Sequence, residues 1–276
     1  MTRAAEGSGP ANGPGVIEVR RLRKIFHQTG TGEAVVAIDR LDFDIRRGDM
    51  VAIVGQTGCG KSTFLNVLIG LERPSDGHIT VGGRTPYDDF EHFRGVLAAV
   101  FQQDRLLPWR TALDNVRLPL ELLGRDEREQ TDRARTWLQR LGLAGFERAY
   151  PHELSGGMRQ RVALARAFVI EPALLLADEA FGHLDEVTAA ALRKTFLDLA
   201  RTEGNTAVLV THQLEEAIEM GGRILVFGKP GKLLADIDLE TWPAGNVGRL
   251  RTIIQRMLQN NEPDPEIAVT MAGESS

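Results

Sequence analysis

The chain has 276 residues, enough for one or two domains around a sizeable buried core. A formal net charge of −5 leaves no basic footprint for nucleic acid, and a single cysteine, Cys59, excludes an internal disulfide framework and suits a reducing compartment. The longest unbroken apolar run, Val96–Phe101, falls far short of the roughly 20 residues a membrane-spanning helix needs, and no charged-then-apolar signal segment opens the sequence.

Residues 1–15, rich in Gly, Pro, Ala and Ser, lack periodicity and are expected to be a mobile tail. Alternation predicts strands over Val16–Arg20 and Val35–Ile45. Met50–Val54 is a short apolar run that stops at Gly55, as a buried strand feeding a loop does, and Phe64, Leu65, Leu68 and Ile69 follow at helical spacing. Further strands are predicted at His78–Val81, Val96–Phe101, Ala173–Ala177, Ala207–Val210 and Ile224–Phe227. Helices alternate with the later ones, which predicts a mostly parallel sheet covered on both faces. From about Pro108 to Tyr150 the pattern is helical without strands, with Ala134, Trp137, Leu138 and Leu141 on one face. After Asp236 the signals weaken: Leu250, Ile253, Ile254 and Leu258 predict one amphipathic helix, and 261–276 reads as a polar tail.

Three segments carry chemistry. Gly55-Gln56-Thr57-Gly58-Cys59-Gly60-Lys61-Ser62-Thr63 matches the phosphate-loop pattern and sits between an apolar strand and a helix. Its glycines let backbone N–H groups converge on phosphate oxygens at a helix N-terminus; Lys61 should reach the β- and γ-phosphates and Ser62 should hold Mg²⁺. Leu174–Glu179 is an apolar run ending in two carboxylates, so Asp178 can face the Mg²⁺ shell and Glu179 can polarise the attacking water. Ser155-Gly156-Gly157 combines an N-cap with two glycines that bare a second helix start, a further anion site. It stands too far along the chain to serve the same phosphates in cis, so two copies are expected to share each nucleotide. Cys59, in the loop, is a candidate for a helix-dipole-lowered pKa and alkylation, protected by bound ATP, although an ordinary loop residue is the better reading.

Tyr150–Met158 resembles the signature motif of ATP-binding-cassette (ABC) ATPases, and with the other two motifs the likeness covers roughly 16–236. That resemblance implies an α/β P-loop NTPase with a mostly parallel core sheet, an antiparallel β subdomain and a helical subdomain inserted at about 104–155, followed by a short C-terminal extension over 237–276. It implies that Gln102, after Val100-Phe101, contacts Mg²⁺ or the attacking water. Asp185, in Gly182-His183-Leu184-Asp185, would communicate across a dimer, and His212 would be the switch histidine at the γ-phosphate. Phe26 would stack on adenine, although a core phenylalanine explains it nearly as well. Ala180, His183 and Gln213 depart from the residues common in the family, which bears on turnover rate and dimer communication.

The implied mechanism is a head-to-tail pair of cassettes, with Lys61, Ser62, Asp178, Glu179 and His212 of one copy facing Ser155, Gly156 and Gly157 of the other across ATP and Mg²⁺. Asp104–Thr111 places Leu106, Leu107 and Trp109 where an apolar groove would receive a partner helix, the alternative being that they only pack the subdomain, as some must. "LLPW" followed by Leu113-Asp114-Asn115-Val116 resembles the importer branch serving nitrate, sulfonates such as taurine, and related small anions. The expected partners are a second cassette, homodimeric by preference, a membrane permease and, indirectly, a solute-binding protein, at the cytoplasmic face of the membrane. Cassettes for lipids or other small molecules, and a soluble ABC ATPase acting on DNA or ribosomes, are the competing readings; the acidic charge opposes the last. A phosphate-loop GTPase or kinase is opposed by the signature motif.

Overall fold

The computed structural model describes residues 16–28, 30, 32–220, 222–243 and 246–267. The expected tail over 1–15 and the end of the other, 268–276, lie outside the described residues. Strands β1 (Ile17–His27) and β2 (Ala34–Ile45) form an antiparallel hairpin. β1 runs well past the predicted Arg20, because register shifts from Val19 to Ile25 break the two-residue alternation that would have marked it.

β3 (Met50–Gly55) is buried at every position, which is why its apolar run is unbroken. It feeds α1 (Lys61–Leu68), and β4 (Asp76–Val81) then returns to pair with β1, completing an antiparallel sheet of order β2-β1-β4. After β5 (Leu97–Phe101) come three packed helices, α2 (Ala112–Leu122), α3 (Glu127–Arg140) and α4 (Gly156–Phe168). Thr111 caps α2 by accepting from the Asp114 N–H, and Asp126 caps α3. The predicted face Ala134, Trp137, Leu138 and Leu141 is buried, and the Trp137 ring stacks on Phe168 at 5.2 Å.

β6 (Leu174–Asp178), α5 (Glu186–Thr202), β7 (Thr206–Thr211), α6 (Leu214–Glu219), β8 (Arg223–Gly228) and β9 (Lys232–Asp238) complete a second sheet of order β5-β6-β7-β3-β8-β9. All its neighbours are parallel except the β8–β9 edge pair. The register aligns the strand ends: Phe101 lies opposite Asp178, Asp178 opposite Val210, and Val54 opposite Thr211. The residue after each strand therefore emerges at one edge, the place where open α/β sheets bind ligands. Between the two sheets, Phe43, Phe64 and Phe227 form an aromatic cluster with centroids 5.6–6.1 Å apart.

The predicted domain end at Asp236 falls inside β9, a strand missed because an edge strand of seven residues carries little periodicity. The C-terminal helix exists as α7 (Val247–Asn260), but Met257 is fully buried where Leu258 was expected, and Leu258 is half-buried. Residues 261–267 are not a free tail: Asp264 and Ile267 are buried, and Arg256 Nε donates to Asp264 at 2.6 Å. No helix among the described residues is long and apolar enough to cross a membrane.

Candidate active site

The phosphate loop joins β3 to α1. Gly60 takes the cap position of α1 at φ 102°, and a Cβ there would lie 2.5 Å from the Ala37 carbonyl, so the turn admits only glycine. The Lys61 ammonium folds back over the loop and donates to the carbonyls of Gly55 at 2.7 Å and Gln56 at 3.2 Å. First-turn N–H groups of a helix lack intrahelical acceptors, so this end of α1 offers donors and a favourable dipole to an anion.

Of the two readings of Cys59, the reactive thiol fails and the ordinary loop residue stands. Its side chain is buried against the loop, and burial pushes the thiol pKa up, with nearby Lys61 opposing the shift only in part. A buried, protonated thiol is a poor nucleophile. Native protein should therefore be alkylated about tenfold or more slowly than a small free thiol, with full labelling only in denaturant. Labelling of the native chain at the free-thiol rate would show the side chain to be accessible.

At the neighbouring strand end, Asp178 is half-buried, and its carboxyl pKa is raised first by burial and then by adjacent Glu179, while Arg105 and Lys61 pull it back. Glu179 adopts φ 48°, an unusual conformation for a side chain this size. Its N–H donates to the Val210 carbonyl at 2.8 Å, which tethers it to β7. Glu179 Oε1 lies 3.2 Å from His212 Nδ1, so the two residues predicted from separate motifs meet across β6 and β7. Strain of this kind costs on the order of 1–3 kcal/mol and persists where surrounding structure enforces it.

Among the described residues no group of three or more His, Cys, Asp or Glu forms a self-sufficient metal site. One hydroxyl (Ser62), one half-buried carboxylate (Asp178) and one amide (Gln102) are nevertheless hard oxygen donors of the kind Mg²⁺ takes alongside phosphate oxygens. Among the described residues Asp178 forms no ion pair with a protein cation.

The Ser155-Gly156-Gly157 helix start lies elsewhere. Ser155 Oγ caps α4 by accepting from the Met158 N–H at 3.3 Å, and a Cβ on Gly157 would meet Thr188 Cγ2 at 2.9 Å. An open groove here is lined by Ser155, Gly156, Gly157, His183, Asp185 and Thr188, among others, with no residue of the phosphate loop. Asp185 Oδ1 accepts from the Thr188 N–H at 3.0 Å, and that backbone hydrogen bond holds its pKa down. The fold thus gathers loop, Asp178, Glu179 and His212 at one place and leaves the signature glycines with Asp185 at another. Gln102 lines a cleft shared with Gly156, Arg159 and His183, between the two.

Residues 38–182 match the ABC transporter family. The taurine import ATP-binding protein TauB of Rhizobium johnstonii is 42% identical over 220 residues, covering 78% of this chain and 81% of that protein. The aliphatic sulfonates import ATP-binding protein SsuB of Bacillus cereus is 37% identical over 221 residues, covering 79% and 83%. A solved dimeric ATP-binding cassette in a post-hydrolysis state, bound to ADP and Pi, superposes with a TM-score of 0.70 at 32% identity, covering 81% of this chain and 98% of that one. The chain is a member of the ABC transporter ATPase family.

Within the cassette, Phe26 belongs to neither core cluster: its ring is 38% exposed at the end of β1, with the Lys24 ammonium 4.8 Å from its centroid. The core alternative for Phe26 fails. Of the departures, Ala180 is buried and its carbonyl accepts from Gln160 Nε2 at 2.6 Å, while Gln213 begins α6 without a side-chain cap.

Several residues at the cassette's working edge escaped sequence reasoning. Gln160, buried on α4, bonds to Ala180 and to the Phe101 carbonyl at 3.3 Å, tying the signature helix to the strands that carry Gln102 and Glu179. Arg159 Nε donates to Asp104 at 2.9 Å and Arg166 to the Asp104 and Arg105 carbonyls, fastening the segment after Gln102 to the same helix. Of the residues expected at a partner groove, Leu106 is buried in the core, as the packing alternative has it, whereas Trp109 is 70% exposed. A further apolar groove of about 250 Å³ lies between α1 and the approach to β5, lined by Leu68, Leu71, Pro86, Phe90, Phe93 and Leu97, among others.

Proposed function

We propose that this cassette is the ATP-hydrolysing subunit of an importer for a small anionic solute of the sulfonate or taurine class, acting as a pair of cassettes on a separate permease. The carrying observation is the division of the site: phosphate loop, Asp178, Glu179 and His212 together, and the signature glycines with Asp185 in a groove of their own. A second copy placed head to tail supplies the missing half. The dimeric cassette among its structural neighbours and the import functions in the names of its relatives support the reading.

In this reading the amides of Gln56–Thr63 and the Lys61 ammonium hold the phosphates, and Phe26 stacks on adenine. Ser62, Asp178 and Gln102 would hold Mg²⁺, which would supply charge neutralisation at the phosphates. Glu179 accepts the proton of the attacking water, and His212, whose Nδ1 lies 3.2 Å from Glu179 Oε1, contacts the γ-phosphate. Ser155, Gly156 and Gly157 of the twin cassette close over that phosphate, with Asp185 linking the halves. Hydrolysis removes the ligand that favours the closed pair, and the pair opens.

The groove beside Leu71 and Phe90 is the proposed seat of a short amphipathic helix from the permease. Both side chains stand exposed, at 66% and 55%. The test is capture of the chain from membranes: a permease and a sulfonate-binding protein should co-purify, and taurine with the binding protein should stimulate ATP hydrolysis. Leu71→Glu should release the cassette from membranes while the soluble cassette hydrolyses ATP as before. Stimulation by DNA, without a membrane partner, would overturn the reading.

A further inference from the structure

The C-terminal extension reaches the phosphate loop. The four buried side chains Leu250, Ile253, Ile254 and Met257 dock α7, and two polar contacts at its end are directed at the nucleotide side of the molecule. Gln56 Nε2, in the loop, donates to the Leu258 carbonyl at 2.8 Å. Asn261, at φ 57°, grips one residue of the β8–β9 turn from both sides: its Oδ1 accepts from the Lys229 N–H at 2.7 Å and its Nδ2 donates to the Lys229 carbonyl at 2.6 Å. The fit is close enough that a Cβ on Gly228 would sit 2.4 Å from Asn261 Oδ1.

The other side of the turn is pinned as firmly. Gly231 donates to Ala37 at 3.0 Å, and its carbonyl accepts from Asp39 at 2.8 Å. A Cβ on Gly231 would be 3.2 Å from the Cys59 carbonyl, so the turn lies directly on the phosphate loop. The Lys229 backbone is thereby fixed, and its Nζ comes within 3.9 Å of a Cβ built on Gly58. Among the described residues no carboxylate pairs with it. An unpaired ammonium held beside an anion-binding loop raises the local positive potential.

We propose that Lys229 is an additional nucleotide-affinity residue, acting on bound phosphates beside Lys61 and positioned by Asn261 of the C-terminal extension. The extension is thus part of the nucleotide site. The inference rests on the phosphate loop holding ATP, and the experiment separates the two. A fluorescent ATP analogue is titrated against the full chain, with Lys61→Ala as a control that should abolish tight binding. If the wild-type chain itself fails to bind, the loop reading fails.

With wild-type binding intact, Lys229→Met should weaken ATP and ADP roughly threefold to tenfold, leave adenosine unchanged, and lose most of its effect at high salt. Lys229→Arg should restore affinity. Asn261→Ala should reproduce the loss, and the double variant should be no weaker than either single one, because both remove one interaction. Lys229 is exposed, so its replacement should leave the melting temperature unchanged. Equal ATP affinity in Lys229→Met and wild type, a loss shared by adenosine, or additive losses in the double variant would each overturn the proposal.

Discussion

Glu179→Gln should abolish steady-state ATP turnover, lowering kcat by about 10²–10⁴ with ATP affinity retained, and should accumulate as a closed dimer when saturated with Mg·ATP. The substitution keeps the size and shape of the side chain, so the φ 48° backbone and its N–H bond to Val210 have no reason to change. What disappears is the carboxylate's ability to take a proton from water. In the proposed cycle, opening depends on loss of the γ-phosphate, so a chain that binds without hydrolysing stays shut. Single-turnover hydrolysis and light scattering read the two halves of the expectation. A variant hydrolysing at near wild-type rate would remove Glu179 from the chemistry. A Glu179→Gln protein that stayed monomeric at every concentration, and lost nothing when Ser155 was replaced, would remove the shared site.

The second large effect is one of stability. Arg193 on α5 is almost wholly buried and is ion-paired with three carboxylates: Glu216 at 3.2 Å, Glu219 at 2.8 Å and Glu186 at 3.0 Å. Glu216 is as deeply buried and also accepts from the Thr211 hydroxyl, whose oxygen in turn accepts from the Gln213 N–H at 3.0 Å. Arg193→Leu leaves Glu216 buried without its cation and should cost about 3–5 kcal/mol in denaturant unfolding. Replacing both residues with leucine should recover most of that loss, since the uncompensated charge goes with its partner. Thr211 and Gln213 flank His212, so the double variant, though folded, should hydrolyse ATP more slowly. If Arg193→Leu alone unfolded at the wild-type denaturant midpoint, Glu216 would have to be reaching water.

Local chemistry carried the phosphate loop, the acidic strand end and the capped glycine helix into plain view. Each needs particular residue types at fixed spacing: glycine where a Cβ would strike Ala37 or Thr188, and acids directly after an apolar strand. Their order along the chain was enough for the family, and the continuous burial of β3 and β7 follows from apolar runs visible in the residues themselves.

Contacts between segments distant in sequence were decided only by folding. The meeting of Glu179 with His212 depends on the register of β6 against β7, and nothing in either motif states that register. The pairing of Arg193 with Glu216, the hold of Gln160 on Phe101 and Ala180 and the grip of Asn261 on Lys229 each join residues at least 20 positions apart. A polar side chain on a helix gives no sign of whether water or a distant carboxylate will satisfy it. Packing likewise decided between the two readings of Cys59, whose thiol answers to burial rather than to the helix beside it in sequence.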